Sequence, residues 1–226
     1  MKDKLKQFFR RIGLDIYHAP AYKMDTTKLA IFEYFARMYA NIREKNGDIV
    51  ECGVGRGKTF LYLNCLANQE DKVGLVKNRT CWGFDSFMGF PEPSRLDYTQ
   101  RNPKKGDWSG ITQNFIKKLL KNADINKHRL QEKTKLVPGY FEKTVAQYPS
   151  KEIALLHLDV DLYNSYKVCL EALFPKVIVG GVVLFDEYQE EIWPGATKAI
   201  DEYFQNRPEK IQKDFLTGKH YLIKQS

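Results

Sequence analysis

Much that would commit this chain to a particular class is missing from it. The four cysteines, Cys52, Cys65, Cys81 and Cys169, are scattered with no CxxC spacing. That argues against a zinc site, a thioredoxin-like pair and a disulfide scaffold. Cys52, Cys81 and Cys169 fall in predicted strands or helices and read as reduced core residues of a cytoplasmic protein. Histidine is equally scarce, at 4 in 226 residues, and no second histidine accompanies His157 in the sequence. A positioning or structural role is therefore read for His157, and a loop position for His18 and His128. No apolar run reaches membrane-spanning length, and no secretory h-region opens the chain, so no stable membrane insertion is expected. Internal repeats and low-complexity segments are absent as well. Two nucleotide-binding signatures also fail: GxxxxGK[ST] would need glycine where Cys52 stands, and GxGxxG would need glycine where Lys58 stands.

What is present fits one elaborated α/β domain. A hydrophobic share of 43% and an aromatic share of 13% can bury a substantial core. The net charge of +8 raises nucleic acid or anionic lipid as partners. Yet the lysines are spread over many predicted helices and loops without an RNA motif, so solvated faces and no nucleic acid are the reading. Residues 1–20 carry Leu5, Phe8, Phe9 and Ile12 at helical spacing and read as a surface helix packed on its own domain or a subunit mate. A second helix is expected from an N-cap at Asp25 or Thr26 to a C-cap signal at Asn46-Gly47. The division predicted is an N-terminal helical, lid-forming segment over 1–47 and a catalytic domain over 48–226.

The chain is organised around residues 153–188. Two short, continuous apolar runs, Ile153–Val160 and Val177–Phe185, suit strands buried on both faces of a parallel sheet. The helical pattern Tyr163–Phe174 lies between them. Each strand ends in acid: Asp159 and Asp161 on the first, Asp186 and Glu187 on the second. Ligands of open α/β sheets bind beyond the carboxyl ends of the strands, where four such carboxylates would repel one another without a cation. Hard oxygen donors suit Mg²⁺. The bland alternative is helix capping, as Asp161 would do for the helix that follows it.

Upstream, a strand at 48–52 runs into Gly53-Val54-Gly55-Arg56-Gly57 and a helix from Lys58. An acid, Glu51, followed by GxGxG is the pattern of S-adenosylmethionine (SAM) methyltransferases. The next strand ends in Asp85, placed to accept the ribose hydroxyls of a bound nucleoside. An insertion over 87–111, rich in proline and glycine, reads as a cover over the site, with Tyr98, Trp108 and Lys104-Lys105 as substrate contacts. A polar helix at 112–122, a third strand at 134–137 and the turn Pro138-Gly139-Tyr140-Phe141 follow. The tail predicts an antiparallel hairpin from runs at 211–216 and 220–223.

Five blocks together resemble the macrocin O-methyltransferase-like family: VECGVGRGKT (50–59), GFDSFMGFPEP (83–93), LVPGYFEKT (136–144), LHLDVDLYNS (156–165), and LFDEY with PGATKAIDEYF (184–204). These are Mg²⁺- and SAM-dependent sugar O-methyltransferases, often dimeric. The resemblance implies a class I, Rossmann-like methyltransferase fold with a seven-stranded, mostly parallel sheet and a terminal antiparallel hairpin. It implies that Glu51, Gly53, Gly55 and Gly57 hold the methionine end of SAM, that Asp85 and Ser86 bind the ribose, and that Gly139 and Tyr140 approach the adenine. Asp159, Asp186 and Glu187 would hold the metal, with Asp161 as general base. The chain departs from the family at Gly55, where an aromatic residue is usual, at Glu187, where aspartate is usual, and at His157, where arginine is common. The rival readings are a catechol-type O-methyltransferase, a nicotinamide oxidoreductase and a basic nucleic-acid-binding protein.

Overall fold

The computed structural model describes residues 26–74, 79–123, 125–149 and 152–225. The helix expected within 1–20 and the Asp25 cap lie outside them. Helix α1 (Thr26–Ala40) stops short of the expected C-cap, and turns occupy 41–45. A residue distant in sequence accounts for this end. The buried Arg79 guanidinium donates to the carbonyls of Lys45 (2.6 Å), Gly47 (2.9 Å) and Arg43 (3.2 Å), and also to that of Ile42. These carbonyls belong to the stretch of turns after the helix, and a cation there holds those turns and suits the negative helix end. Gly47 instead opens the first strand with φ +117°, where an added Cβ would lie 2.8 Å from the Ala154 nitrogen.

Strand β1 (Asp48–Cys52) leads to α2 (Lys58–Lys72) and β2 (Cys81–Asp85), and the insertion after β2 contains one 3₁₀ turn, Arg95–Asp97. Then come α3 (Gln113–Asn122), α4 (Lys127–Glu132), β3 (Thr134–Pro138) and α5 (Phe141–Thr144). Thr112 caps α3 by accepting from the Phe115 N–H at 3.2 Å, and His128 lies on α4 rather than in a loop. The chain continues through β4 (Ile153–Leu158), α6 (Tyr163–Leu173), β5 (Val177–Phe185), α7 (Pro194–Phe204), β6 (Gln212–Lys213) and β7 (His220–Ile223). Among the described residues, no helix is long and apolar enough to cross a membrane.

The seven strands form one sheet in the order β3-β2-β1-β4-β5-β7-β6. Pairings from β3 to β5 are parallel, and β7 joins antiparallel to both β5 and β6. The hairpin thus inserts its second strand, not its first, next to β5. Its first strand is shorter than the sequence predicts. The Asp214 carboxylate turns the chain by accepting from the N–H groups of Leu216 (3.2 Å) and Thr217 (2.9 Å), and it pairs with Arg37 at 2.7 Å.

Strand residues alternate between two cores, which explains the continuous apolar runs. Val50, Cys52, Leu156, Leu158, Val183 and Phe185 face α6 and α7. Ile49, Leu155, Val182 and Leu184 face α1, α2 and α3. With both faces covered, nearly every position of β1, β4 and β5 must be apolar. A polar residue in those strands therefore marks an exception, and Glu51 and His157 are two of them.

Candidate active site at the switch point of the sheet

Strands β1 and β4 lie side by side, and their connections run to helices on opposite faces, which opens a crevice at their carboxyl ends. The crevice depends on one close approach. Gly53 has φ +87°, and an added Cβ would lie 1.6 Å from the Asp159 carbonyl oxygen. Gly55 (φ +50°) has no heavy atom within 4 Å of its own would-be Cβ. It presents bare backbone to the cleft. Gly57 does something different: its Cβ would strike Ile116 at 2.8 Å, so this glycine lets α2 and α3 pack closely and does not line the cleft.

Asp85 organises the wall beyond β2. Its Oδ2 accepts from the Gly55 N–H at 2.8 Å and its Oδ1 from the Phe87 N–H at 2.7 Å. Burial pushes its pKa up, and these backbone N–H groups oppose the shift. A carboxylate has about four lone-pair sites, so two remain for hydroxyls in the cleft. Ser86 is spent on the local turn, donating to Gly89 O (2.7 Å) and accepting from Met88 N–H (3.0 Å). Tyr140 lines the cleft. Gly139 does not; its N–H holds Asp85 O at 2.9 Å, and its φ of +133° sets the turn that presents Tyr140.

Glu51 is fully buried beneath the glycine turn. Its Oε1 accepts from the Thr59 hydroxyl and meets His157 Nδ1 at 3.1 Å, and its Oε2 has no partner. Burial raises the Glu51 pKa, with His157 and Thr59 opposing. For His157 burial works against the cation, but Glu51 outweighs it and the pKa rises. The imidazole also packs edge-on against Phe35 of α1, with centroids 5.0 Å apart.

The four acids of the central unit converge. Ligand atoms of Asp159, Asp161 and Glu187 lie within 4.8 Å of one another, as do those of His157, Asp159 and Asp186. Asp159 belongs to both groups. Burial and then mutual repulsion raise all three carboxyls of the first group, Asp159 to about 7 and Asp161 and Glu187 well above the ordinary range. Glu187 is fixed by α6, its Oε2 accepting from the Tyr166 hydroxyl at 2.6 Å and the Asp161 N–H at 3.3 Å. Asp161 takes φ +58°, a conformation aspartate tolerates better than most residues. It does not cap α6; Asp97 of the insertion does, its Oδ1 accepting from the Tyr163 N–H at 2.7 Å. Compensating charge comes from Lys219, which precedes β7. Its ammonium reaches Asp186 Oδ2 (3.1 Å), Asp186 O (2.8 Å) and Glu190 Oε1 (2.8 Å). Burial opposes that cation, but Asp186 and Glu190 hold its pKa above the ordinary lysine value. Crowded oxygen-donating carboxylates, half-buried apart from the buried Glu187, with one tethered ammonium fit a hard divalent cation, which would relieve the repulsion that adds to burial in raising their pKa values.

Most of these residues line a single cleft of about 900 Å³, whereas Glu51 and His157, like Gly57 and Gly139, lie outside its wall. Gly53, Gly55, Asp85 and Tyr140 form one part of its wall, and Asp159, Asp161, Asp186 and Glu187 another. Ile31, Tyr34 and Phe35 of α1 close one side. From the insertion, Trp108 takes its expected place in the wall, whereas Tyr98, Lys104 and Lys105 do not. Arg101 and Lys219 were not singled out from the sequence. Single basic residues in polar stretches carry no local signal of where the chain will fold them.

Comparison with known proteins identifies the lineage. The sequence profile of Macrocin-O-methyltransferase (TylF) matches residues 3–217. The chain belongs to that family. It is 32% identical over 161 residues to demethyldecarbamoylnovobiocin O-methyltransferase of Streptomyces niveus, covering 70% of this chain and 58% of that protein. Mycinamicin III 3''-O-methyltransferase of Micromonospora griseorubida is 26% identical over 168 residues, covering 70% of this chain and 60% of its own. The chain thus spans well under two thirds of the length of these relatives. Among solved structures, the O-methyltransferase NovP aligns with a TM-score of 0.71 and 26% identity, over 87% of this chain and 80% of its own. The calicheamicin methyltransferase CalS11 aligns with a TM-score of 0.80 at 22% identity, over 98% and 92%. The fold is therefore that of class I SAM-dependent methyltransferases, in a family of enzymes.

Proposed function

We propose that this protein transfers a methyl group from SAM to a hydroxyl of a sugar or glycosylated metabolite, with Mg²⁺ in the acidic cluster and a homodimer as the working state. One observation carries the reading: a glycine turn with Asp85 and a cluster of crowded carboxylates line the same cleft. The curated relatives support it, since one acts, by its name, on a rhamnosyl-tetracenomycin 4'-hydroxyl and the others are O-methyltransferases.

When bound, SAM would supply an activated methyl group, and Asp159, shared by both acidic groups, with Asp186 from one and Glu187 from the other would hold Mg²⁺, which would supply Lewis acidity to the acceptor hydroxyl. The rest falls to the protein. Asp85 accepts the ribose hydroxyls through its two free lone-pair sites, while Gly53 and Gly55 let the backbone approach the cofactor. Glu51, aligned by Thr59 and His157, orients the glycine turn above it. Asp161 takes the acceptor's proton on a carboxylate oxygen, at a hydroxyl already acidified by the cation beside it. Trp108, Trp193 and α1 exclude water and hold the reactants in line.

The test is calorimetry with S-adenosylhomocysteine. Micromolar binding is expected, weakened in Asp85→Ala by about 1.5–3 kcal/mol, the scale of a hydrogen bond to a charged group. Nicotinamide cofactor binding without S-adenosylhomocysteine binding would overturn the reading. Methyl transfer to a catechol but to no sugar would move the acceptor class, and salt-dependent RNA binding would revive the nucleic-acid alternative.

A further inference from the structure

Arg101 sits in the cleft wall between two indoles. Its guanidinium carbon lies 5.1 Å from the Trp108 ring centroid and 4.5 Å from that of Trp193. Phe90 braces Trp193 edge-on at 5.9 Å between centroids. The backbone is tied as well, the Arg101 N–H donating to Thr99 Oγ1 at 3.2 Å and the Thr99 hydroxyl to Ile192 O at 3.4 Å. The plane of the guanidinium is therefore fixed through its faces.

Its edges are another matter. Among the described residues, no hydrogen bond or ion pair reaches the side chain, and its Nε is buried without a partner. Packing against two rings leaves the N–H edge of the guanidinium available, its Nε buried and its terminal nitrogens open to the cleft. A buried donor without a partner is costly, so such an arrangement persists where a ligand completes it. The other cleft-lining cations differ in kind. Lys219 is held by Asp186 and Glu190, and Arg56 and Lys58 belong to the glycine turn of the cofactor side. Arg101 instead packs on Trp193, whose backbone N–H donates to Glu190 O at 3.0 Å in the segment that follows Asp186 and Glu187, which places it at the acidic, acceptor end of the cleft.

Resting on the sugar-methylation reading above, we infer that Arg101 is the anchor for an anionic oxygen group, a phosphate or a carboxylate, carried by the acceptor sugar. A rigid, planar fork of N–H donors matches two oxygens of either group, which a neutral ring hydroxyl cannot do. The acceptor class is then an acidic or phosphorylated sugar rather than a neutral glycoside.

The experiment uses the full chain saturated with S-adenosylhomocysteine and Mg²⁺, and needs no turnover. Calorimetry compares three probes on one hexose: the neutral methyl glycoside, the 1-phosphate and the methyl uronoside. At least one anionic probe binds more tightly than the neutral one, and the tighter of the two names the source of the anion. Arg101→Gln lowers that preference by about 10- to 100-fold, the scale of a charge-assisted pair. Arg101→Lys, which keeps the charge and loses the fork, recovers only part of it. S-adenosylhomocysteine affinity and melting temperature stay constant in both variants. The inference falls if wild type binds no anionic probe or shows no preference for one. It falls equally if Arg101→Gln weakens all three probes by the same factor, which would make Arg101 a clasp for the insertion. Failure of the methyltransferase reading looks different, because S-adenosylhomocysteine itself would then not bind.

Discussion

Glu51 and His157 face each other across the β1–β4 pairing, with Oε1 and Nδ1 3.1 Å apart, and both side chains are almost wholly buried. The pair connects two halves of the site. Glu51 lies under the glycine turn, and His157 has a ligand-capable nitrogen within 4.8 Å of Asp159 and Asp186 oxygens. Removing one member strands the other. His157→Ala is expected to cost about 3–5 kcal/mol in urea unfolding, the scale for breaking a buried ion pair. It should also weaken S-adenosylhomocysteine binding, because Glu51 loses the partner that aligns it. A loss under about 1 kcal/mol would mean that Glu51 is protonated and needs no counter-charge.

Asp159 and Asp161 flank Val160, yet they are expected to differ in work. Asp159 belongs to both acidic groups, and Asp161 to one. Asp159→Asn should lower Mg²⁺ affinity and regain part of its activity with excess Mg²⁺ or Mn²⁺. Asp161→Asn should keep metal and cofactor binding while kcat drops by about 10²–10⁴-fold, the usual share of a general base. Metal titration of methyl transfer, with binding measured separately, distinguishes them. Rescue of Asp161→Asn by metal would exchange the roles.

The acidic cluster should give the cation-free protein an unusual pH response. Asp159 is pushed from the ordinary 3.8 up to about 7, by burial first and Asp186 second. A carboxyl that holds its proton more tightly when folded adds stability below its unfolded pKa, and that stability is lost as pH rises through its folded pKa. In chelator, the melting temperature should therefore fall between about pH 4 and pH 7. Asp214 acts oppositely and outside that window. Burial pushes it up, but Arg37 and Thr217 outweigh this and hold its pKa below 3.8, so its contribution is lost only at lower pH. Asp159→Asn should flatten the slope, and saturating Mg²⁺ should reduce it. A slope equal in wild type and variant would remove Asp159 as its source.

The insertion is expected to depend on one aspartate. Asp97 is 1% exposed; its Oδ2 accepts from the Ser94 N–H and hydroxyl, both at 2.7 Å, and its Oδ1 from the α6 N-terminus. Asp97→Ala should destabilise by about 2–3 kcal/mol, combining a lost cap with unsatisfied buried donors. Hydrogen exchange over 87–111 should accelerate in that variant while the sheet keeps its protection. Exchange that stays unchanged would mean Phe90 and Trp193 alone hold the insertion down.

The sheet from β1 to β5 was legible because strands buried on both faces leave continuous apolar runs, against which Glu51 and the terminal acids stand out. The glycine turn was legible because backbone crowding excludes side chains there: Gly53 meets Asp159 and Gly57 meets Ile116. Features built by distant parts of the chain were not. Arg79 ends α1 from the far side of α2, Asp97 caps α6 from the insertion, and Lys219 reaches Asp186 from the hairpin. In each case an ordinary polar residue acquires its role only through tertiary closure. The brevity of β6 has the same origin, since Asp214 spends its carboxylate on a turn and on Arg37.

Strand β7 fills the position beside β5 and brings Lys219 to Asp186. On a ribosome the chain emerges from its N-terminus, so the acids of β4 and β5 are made and exposed well before this ammonium arrives. Until then the nascent sheet has an open, apolar margin at β5 and an uncompensated knot of negative charge at its tip. The acidic cluster is therefore charge-compensated only once β7 has paired with β5 and carried Lys219 to Asp186.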